Sequence, residues 1–268
     1  MAQVNPETET PRIRMLLYGV PKIGKTRCVL SLAERGEVVY LVSADRGYVD
    51  YVRHKDKYKT CAVYAPDGLR GLRKDFDEIR KRVEKVLQKR PADHVWVVLD
   101  TATHMQQNLL VEARKVELST NQGSKSQGKV TDEFVRDATT RVDYLVNLGH
   151  MAEMADYLLN MPCNVVIIAL EREEKDDHNK ISRRPQLGGQ SLDRFAGDAD
   201  VIARMCIEKG VRTFHCKPLG AEMAGDRFDV LDQIELADLA AIRDKVFPRE
   251  AAPALVANTT PERADTAA

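Results

Sequence analysis

Leu16-Leu17-Tyr18-Gly19-Val20-Pro21-Lys22-Ile23-Gly24-Lys25-Thr26 satisfies every constrained position of the G-x-x-x-x-G-K-[ST] phosphate-loop pattern. The apolar run Ile13 to Tyr18 leads into it, and the helical spacing Cys28-Val29-Leu30-xx-Ala33 leads out of it. Strand, loop and helix in that order suit the chemistry. Successive loop N–H groups wrap a phosphate, and the N-terminus of the following helix adds partial positive charge. Gly19 and Gly24 permit a backbone path and a phosphate approach that a Cβ would block. Lys25 is placed to reach the β- and γ-phosphates, and the Thr26 hydroxyl to ligate Mg²⁺. The run Gly19, Val20, Pro21, Lys22, Ile23, Gly24, Lys25, Thr26 and Arg27 is thus expected to surround ATP or another nucleoside triphosphate, in an α/β fold.

Downstream, Gly36 ends the first helix, and Glu37 to Ser43 (EVVYLVS) reads as a buried parallel strand leading to Asp45. Cys61 to Tyr64 is a weaker strand. Pro66-Asp67-Gly68 opens a charged helix to about Gln88, with Leu72, Phe76, Ile79, Val83, Val86 and Leu87 on one face. Its mixed charges read as a solvated surface laced by i,i+4 pairs, with a DNA-binding face as the other reading. His94 to Asp100 (HVWVVLD) is an apolar strand closed by an acid, the pattern of a Walker B strand whose carboxylate holds Mg²⁺ opposite Thr26.

A helix from Thr101, Thr103 and His104 to about Leu118 comes next. Ser119 to Val130 (STNQGSKSQGKV) has the composition of a mobile loop, and Phe134 to Met161 restores helical spacing. Asn164 to Leu170 (NVVIIAL) is another strong strand, ending in Glu171-Arg172. Glu173 to Arg184 is almost without apolar side chains and reads as a second loop, closed by Pro185-Gln186-Leu187-Gly188-Gly189. Ala199 to Ile207 and Val211 to Cys216 read as a β-hairpin turning at Lys209-Gly210, and a last helix runs from about Leu236 to Val246. One domain, 12–247, is expected between a disordered arm, 1–11, and a disordered Ala-, Pro- and Thr-rich tail, 248–268.

Parallel strands joined by right-handed crossovers bring their C-terminal ends to one rim, where open α/β sheets bind ligands. Gly19, Asp45, Asp100 and Glu171 all fall there. Asp45 is the candidate for polarising the water that attacks the γ-phosphate, with capping of the turn before Arg46-Gly47 as its other reading.

Composition sets the outer limits. The chain has 268 residues, 43% of them hydrophobic, and 41 Lys plus Arg balance 41 Asp plus Glu. No global field draws it to nucleic acid or membrane, so any polyanion site has to be local. Cys28, Cys61, Cys163, Cys206 and Cys216 are scattered without C-x-x-C or metal spacing, as in a reduced interior. The polar start and the lack of a long apolar run predict a soluble, cytoplasmic protein without membrane contact.

Leu41-Val42-Ser43-Ala44-Asp45, the Walker B strand, the polar end of the next strand, and Leu187-Gly188-Gly189-Gln190-Ser191-Leu192-xx-Phe195 before a hairpin occur in the order of the RecA core. The chain resembles the phage-encoded, single-core RecA-like ATPases, labelled AAA-type nucleotide-binding proteins, some of which act in single-strand annealing and recombination. The resemblance implies a RecA-like P-loop core with a mostly parallel sheet, flanking helices and a C-terminal hairpin. It implies a Mg²⁺-dependent ATPase that assembles as a ring or filament in the host cytoplasm, with single-stranded DNA and a phage single-strand DNA-binding protein as partners.

Residue by residue, it makes Lys25 and Thr26 the phosphate and Mg²⁺ residues, Asp100 the Walker B acid, Asp45 the water-activating acid where RecA has Glu, and Glu171 the γ-phosphate sensor where RecA has Gln. Lys217 falls on a lysine that reaches the neighbouring subunit's γ-phosphate; an ordinary exposed lysine is its other reading. The two loops become DNA-binding loops through Lys125, Lys129, Lys180, Arg183 and Arg184. A nucleotide-dependent assembly or switch ATPase with a protein partner is the rival function, and a small-molecule kinase a third.

Overall fold

A computed structural model describes residues 12–90, 94–121, 141–175 and 179–248, with the side chains of 115–121 and 141 left undescribed. The N-terminal half contains β1 (Arg14–Gly19), α1 (Lys25–Glu34), β2 (Val38–Ser43), α2 (Val49–Arg53), β3 (Cys61–Tyr64), α3 (Gly68–Leu87), β4 (Val95–Asp100) and α4 (Ala102–Asn121). After it come α5 (Arg141–Leu159), β5 (Asn164–Lys175), β6 (Ile181–Pro185), α6 (Gln190–Asp198), β7 (Val201–Glu208), β8 (Val211–His215), β9 (Gly225–Asp226), β10 (Ile234–Leu236) and α7 (Leu239–Val246).

The strands form a ten-stranded sheet in the order β10-β8-β7-β1-β5-β4-β2-β3, with β6 on β5 and β9 on β7. From β7 to β3 every neighbour is parallel, and the last three pairings of the chain's C-terminal part, β7 with β8, β7 with β9 and β8 with β10, are antiparallel. The apolar runs are continuous because both faces of the sheet are covered. Met15 and Leu17 of β1, Trp96 and Val98 of β4, and Val166 and Ile168 of β5 pack with α1 and α7. Leu16 and Tyr18, Val97 and Leu99, and Val165 and Ile167 point the other way, against α3, α4, α5 and α6. Each such aliphatic side chain contributes about 1.5–3 kcal/mol on full burial. This is an α/β architecture with a mostly parallel sheet, flanking helices and a C-terminal hairpin.

The charged helix α3 buries Leu72, Phe76, Ile79 and Val83 and pairs Arg82 with Glu78 at i,i+4, as a solvated surface helix does. Three expectations need correction. Ser119 to Asn121 continue α4 rather than opening a loop. Glu173 to Lys175 and Ile181 to Arg184 are strand rather than loop: β5 runs on to Lys175 and pairs with β6, and Glu173 faces Arg183 across the two strands. The last helix begins at Leu239, because Ile234–Leu236 pairs with β8 and Asp238 caps the helix. The arm 1–11, Lys125, Lys129, residues 134–140 of the expected second helix and the tail beyond 248 lie outside the described residues. No described helix is long and apolar enough to cross a membrane.

Candidate functional site

β1 delivers the phosphate loop to the C-terminal rim, and α1 carries it away. Gly19 closes β1 so near β7 that a Cβ there would stand 2.8 Å from the Met205 carbonyl oxygen. Gly24 holds φ 107° at the N-terminus of α1, a left-handed conformation that suits glycine. Lys25 is 6% exposed. Its Nζ donates to the carbonyls of Gly19 (2.7 Å) and Val20 (2.9 Å). Burial brings its pKa down to about 8, against the opposing pull of the Asp100, Glu171 and Asp45 carboxylates.

Thr26 Oγ1 donates to Asp100 Oδ2 at 2.5 Å, so the start of α1 and the end of β4 meet at the residues expected to hold Mg²⁺. Burial pushes the Asp100 carboxyl up to about 6, with the Thr26 hydrogen bond acting the other way. A hydroxyl and a buried carboxylate are hard oxygen donors and fit Mg²⁺. Among the described residues no group of three or more His, Cys, Asp or Glu side chains is placed to hold a metal. A Mg²⁺ ion here would therefore take its remaining ligands from substrate phosphates and water, its usual habit.

A cavity of about 590 Å³ brings Lys25, Thr26, Arg27, Asp45, Asp100 and His104 together with Leu170 and Arg212. Both readings of Asp45 have a physical basis. Its Oδ1 accepts the Gly47 N–H at 2.8 Å, which is the turn cap, while Oδ2 lies 3.7 Å from His104 Nδ1. That His104 nitrogen is also 2.7 Å from Thr101 Oγ1, in the polar first turn that follows β4. Thr103, in the same turn, donates to the Gln186 carbonyl and accepts the Leu170 N–H, each at 2.9 Å.

Other expected residues lie away from this cavity. Glu171 lies inside β5, not at its end, and its carboxylate is 2% exposed. Arg204 binds it through Nε at 2.8 Å and Nη2 at 3.1 Å, so Leu170, not Glu171, lines the cavity. The network continues from Arg204 to Glu222, to His215 (2.7 Å) and on to Glu208 (2.9 Å), beside a second concavity behind the loop. Lys217 follows the C-terminal end of β8, which runs antiparallel to β7 and so away from the phosphate-loop rim. It pairs with Asp229 at 2.7 Å. Of the basic trio, Arg183 contacts Glu173 and Glu171, Arg184 pairs with Glu174, and Lys180 stands just before β6. The same strand reversal that carries Lys217 away puts Arg212, at the start of β8, on the rim. Arg212 belongs to no motif in the sequence, and Thr103 and His104 read there only as the start of a helix; the direction of β8 was the available signal for Arg212.

The sequence profile of a family described as AAA domain matches residues 11–228. No curated protein matches the chain in sequence. Among solved structures, the crystal structure of the RadB recombinase is similar at 14% identity, over 79% of this chain and 85% of that one, with a TM-score of 0.39.

Proposed function

The chain belongs to this AAA-domain family, and from that premise we propose that it binds Mg²⁺-ATP on the Gly19–Arg27 loop and hydrolyses it at the rim. The observation that carries the proposal is the convergence of Lys25, Thr26, Asp100 and Asp45 on one cavity from three separate strand ends. Lys25 supplies positive charge to the β- and γ-phosphates, exchanging its two loop carbonyls for phosphate oxygens. Thr26 and Asp100 would hold Mg²⁺, which would supply charge to neutralise what develops on the phosphoryl group. Asp45 accepts the proton of the attacking water, with His104 beside it to position the carboxylate. Nucleotide titration and phosphate release, in the parent and in Lys25→Ala, test this. A variant that still hydrolyses ATP at the parent rate would sink the reading.

For partners we propose single-stranded DNA, bound by an assembled ring or filament during recombination or annealing in a phage-infected cytoplasm, with a phage single-strand DNA-binding protein alongside. What supports this is the RecA-like order of strand ends. The β5–β6 hairpin favours a second reading, an assembly ATPase with a protein partner, because Arg183 and Arg184 are already matched by Glu173 and Glu174. Counterion release makes DNA binding strongly salt-dependent. ATPase activity that rises with single-stranded DNA, and loses the rise as salt increases, supports the first; indifference to DNA at low salt supports the second.

A further inference from the structure

We propose that Arg212 is a phosphate-binding residue supplied from outside the loop motif, in the same subunit, and that it holds the diphosphate part shared by ATP and ADP. The proposal rests on the nucleotide reading above. β8 runs opposite to β7 and β1, so its first residues, Val211 and Arg212, emerge on the rim where the loop lies. Arg212 stands across from Ile207, on the sheet face that carries Met205 and Phe214 into the α1 core. Its side chain therefore turns toward α1 and the loop. Arg212 Nε donates to the Ile23 carbonyl at 2.7 Å. The same nitrogen is 2.7 Å from where a Cβ on Gly24 would be, so the second glycine of the motif is also the seat of this guanidinium.

Several other arginines are matched to acids: Arg14 to Asp200, Arg35 to Asp238, Arg204 to Glu171, Arg243 to Glu37. Among the described residues Arg212 has no carboxylate at ion-pair distance, and its one hydrogen-bond acceptor is the Ile23 carbonyl. A guanidinium fixed at Nε keeps its two terminal amino groups for a bidentate acceptor, and phosphate is the acceptor whose geometry matches. Strand order says which phosphate. In β8-β7-β1-β5-β4, Arg212 lies two strands to one side of the loop-bearing strand and Asp100 two strands to the other. The metal-bound end of the triphosphate belongs with Thr26 and Asp100, so Arg212 serves the end nearer the nucleoside.

The test uses Arg212→Gln in the full-length chain, because glutamine places an N–H at the ε position and can keep the bond to Ile23 while losing the guanidinium. Affinities for fluorescent ADP and ATP analogues with Mg²⁺ are measured beside melting temperatures without added nucleotide. We expect unchanged melting, and both affinities lowered by a common factor of roughly 10- to 100-fold, with Arg212→Lys in between. Equal affinity in parent and Arg212→Gln would overturn the assignment, leaving Arg212 as a tether for Ile23. Loss of ATP affinity alone would also overturn it, by moving the residue to the γ-phosphate. A parent that binds neither analogue overturns the nucleotide reading itself, and the assignment with it.

Discussion

Lys25, Thr26 and Asp100 differ in what a substitution removes. Lys25→Ala deletes the cation and should abolish ATP binding with or without metal, whereas Asp100→Asn keeps an oxygen facing Thr26 and should weaken binding mainly where Mg²⁺ contributes. Titrations in Mg²⁺ and in EDTA separate the two. Asp45→Asn keeps an acceptor for the Gly47 N–H, so stability should hold within about 0.5 kcal/mol. If the carboxylate accepts the water's proton, hydrolysis should nevertheless fall by roughly 10²–10⁴. Unfolding curves together with single-turnover rates check both halves, and an undiminished rate would leave Asp45 as a cap. The loop residues were legible in the sequence because phosphate chemistry constrains them within one short window. Arg212 was not, because its place depends on a chain reversal at Lys209-Gly210 and on a sheet neighbour far away in sequence.

Among the elements, α7 shows how a terminus is set. Asp238 Oδ1 accepts the N–H groups of Ala240 and Ala241, each at 3.1 Å, and both carboxylate oxygens bind Arg35 at the end of α1. Burial works to raise its pKa, but the Arg35 bond and the two amides outweigh it and leave the carboxyl below its ordinary value. A carboxyl that is more acidic folded than unfolded contributes fully above the unfolded value, about 3.9, and its contribution is lost as pH falls through the folded value. Asp238→Ala should therefore cost about 1 kcal/mol or somewhat more at pH 7, and less at pH 3, in urea titrations at the two pH values. The central strands could be read because burial on both faces leaves unbroken apolar runs. The β5–β6 hairpin could not: it extends past the sheet with few apolar positions, and its order comes from charges that match only once Glu173 is set opposite Arg183.

For the molecule as a whole, the C-terminal helix closes the core that β1 begins. Arg243, 2% exposed, bonds Glu37 at 2.9 Å beneath Trp96, whose indole N–H donates to the same carboxylate. Removing one partner of a buried pair leaves the other charge uncompensated, so Arg243→Ala should cost about 3–5 kcal/mol. Trp96 is the single tryptophan of the chain. Because β4 and α7 share that core, its fluorescence and the far-UV circular dichroism should report one coincident denaturant transition in parent and variant. Two separated transitions would mean that α7 melts on its own. The sheet order also has a consequence for how the protein is made. β1 leaves the ribosome well before its two neighbours, β5 and β7, which start at Asn164 and Val201. At about 5–20 residues per second, the strand waits roughly 7 to 30 seconds for the first of them. A nascent chain halted before Asn164 would carry the entire phosphate-loop motif with nothing beside it to hold its shape, so competence to bind nucleotide arrives late in translation.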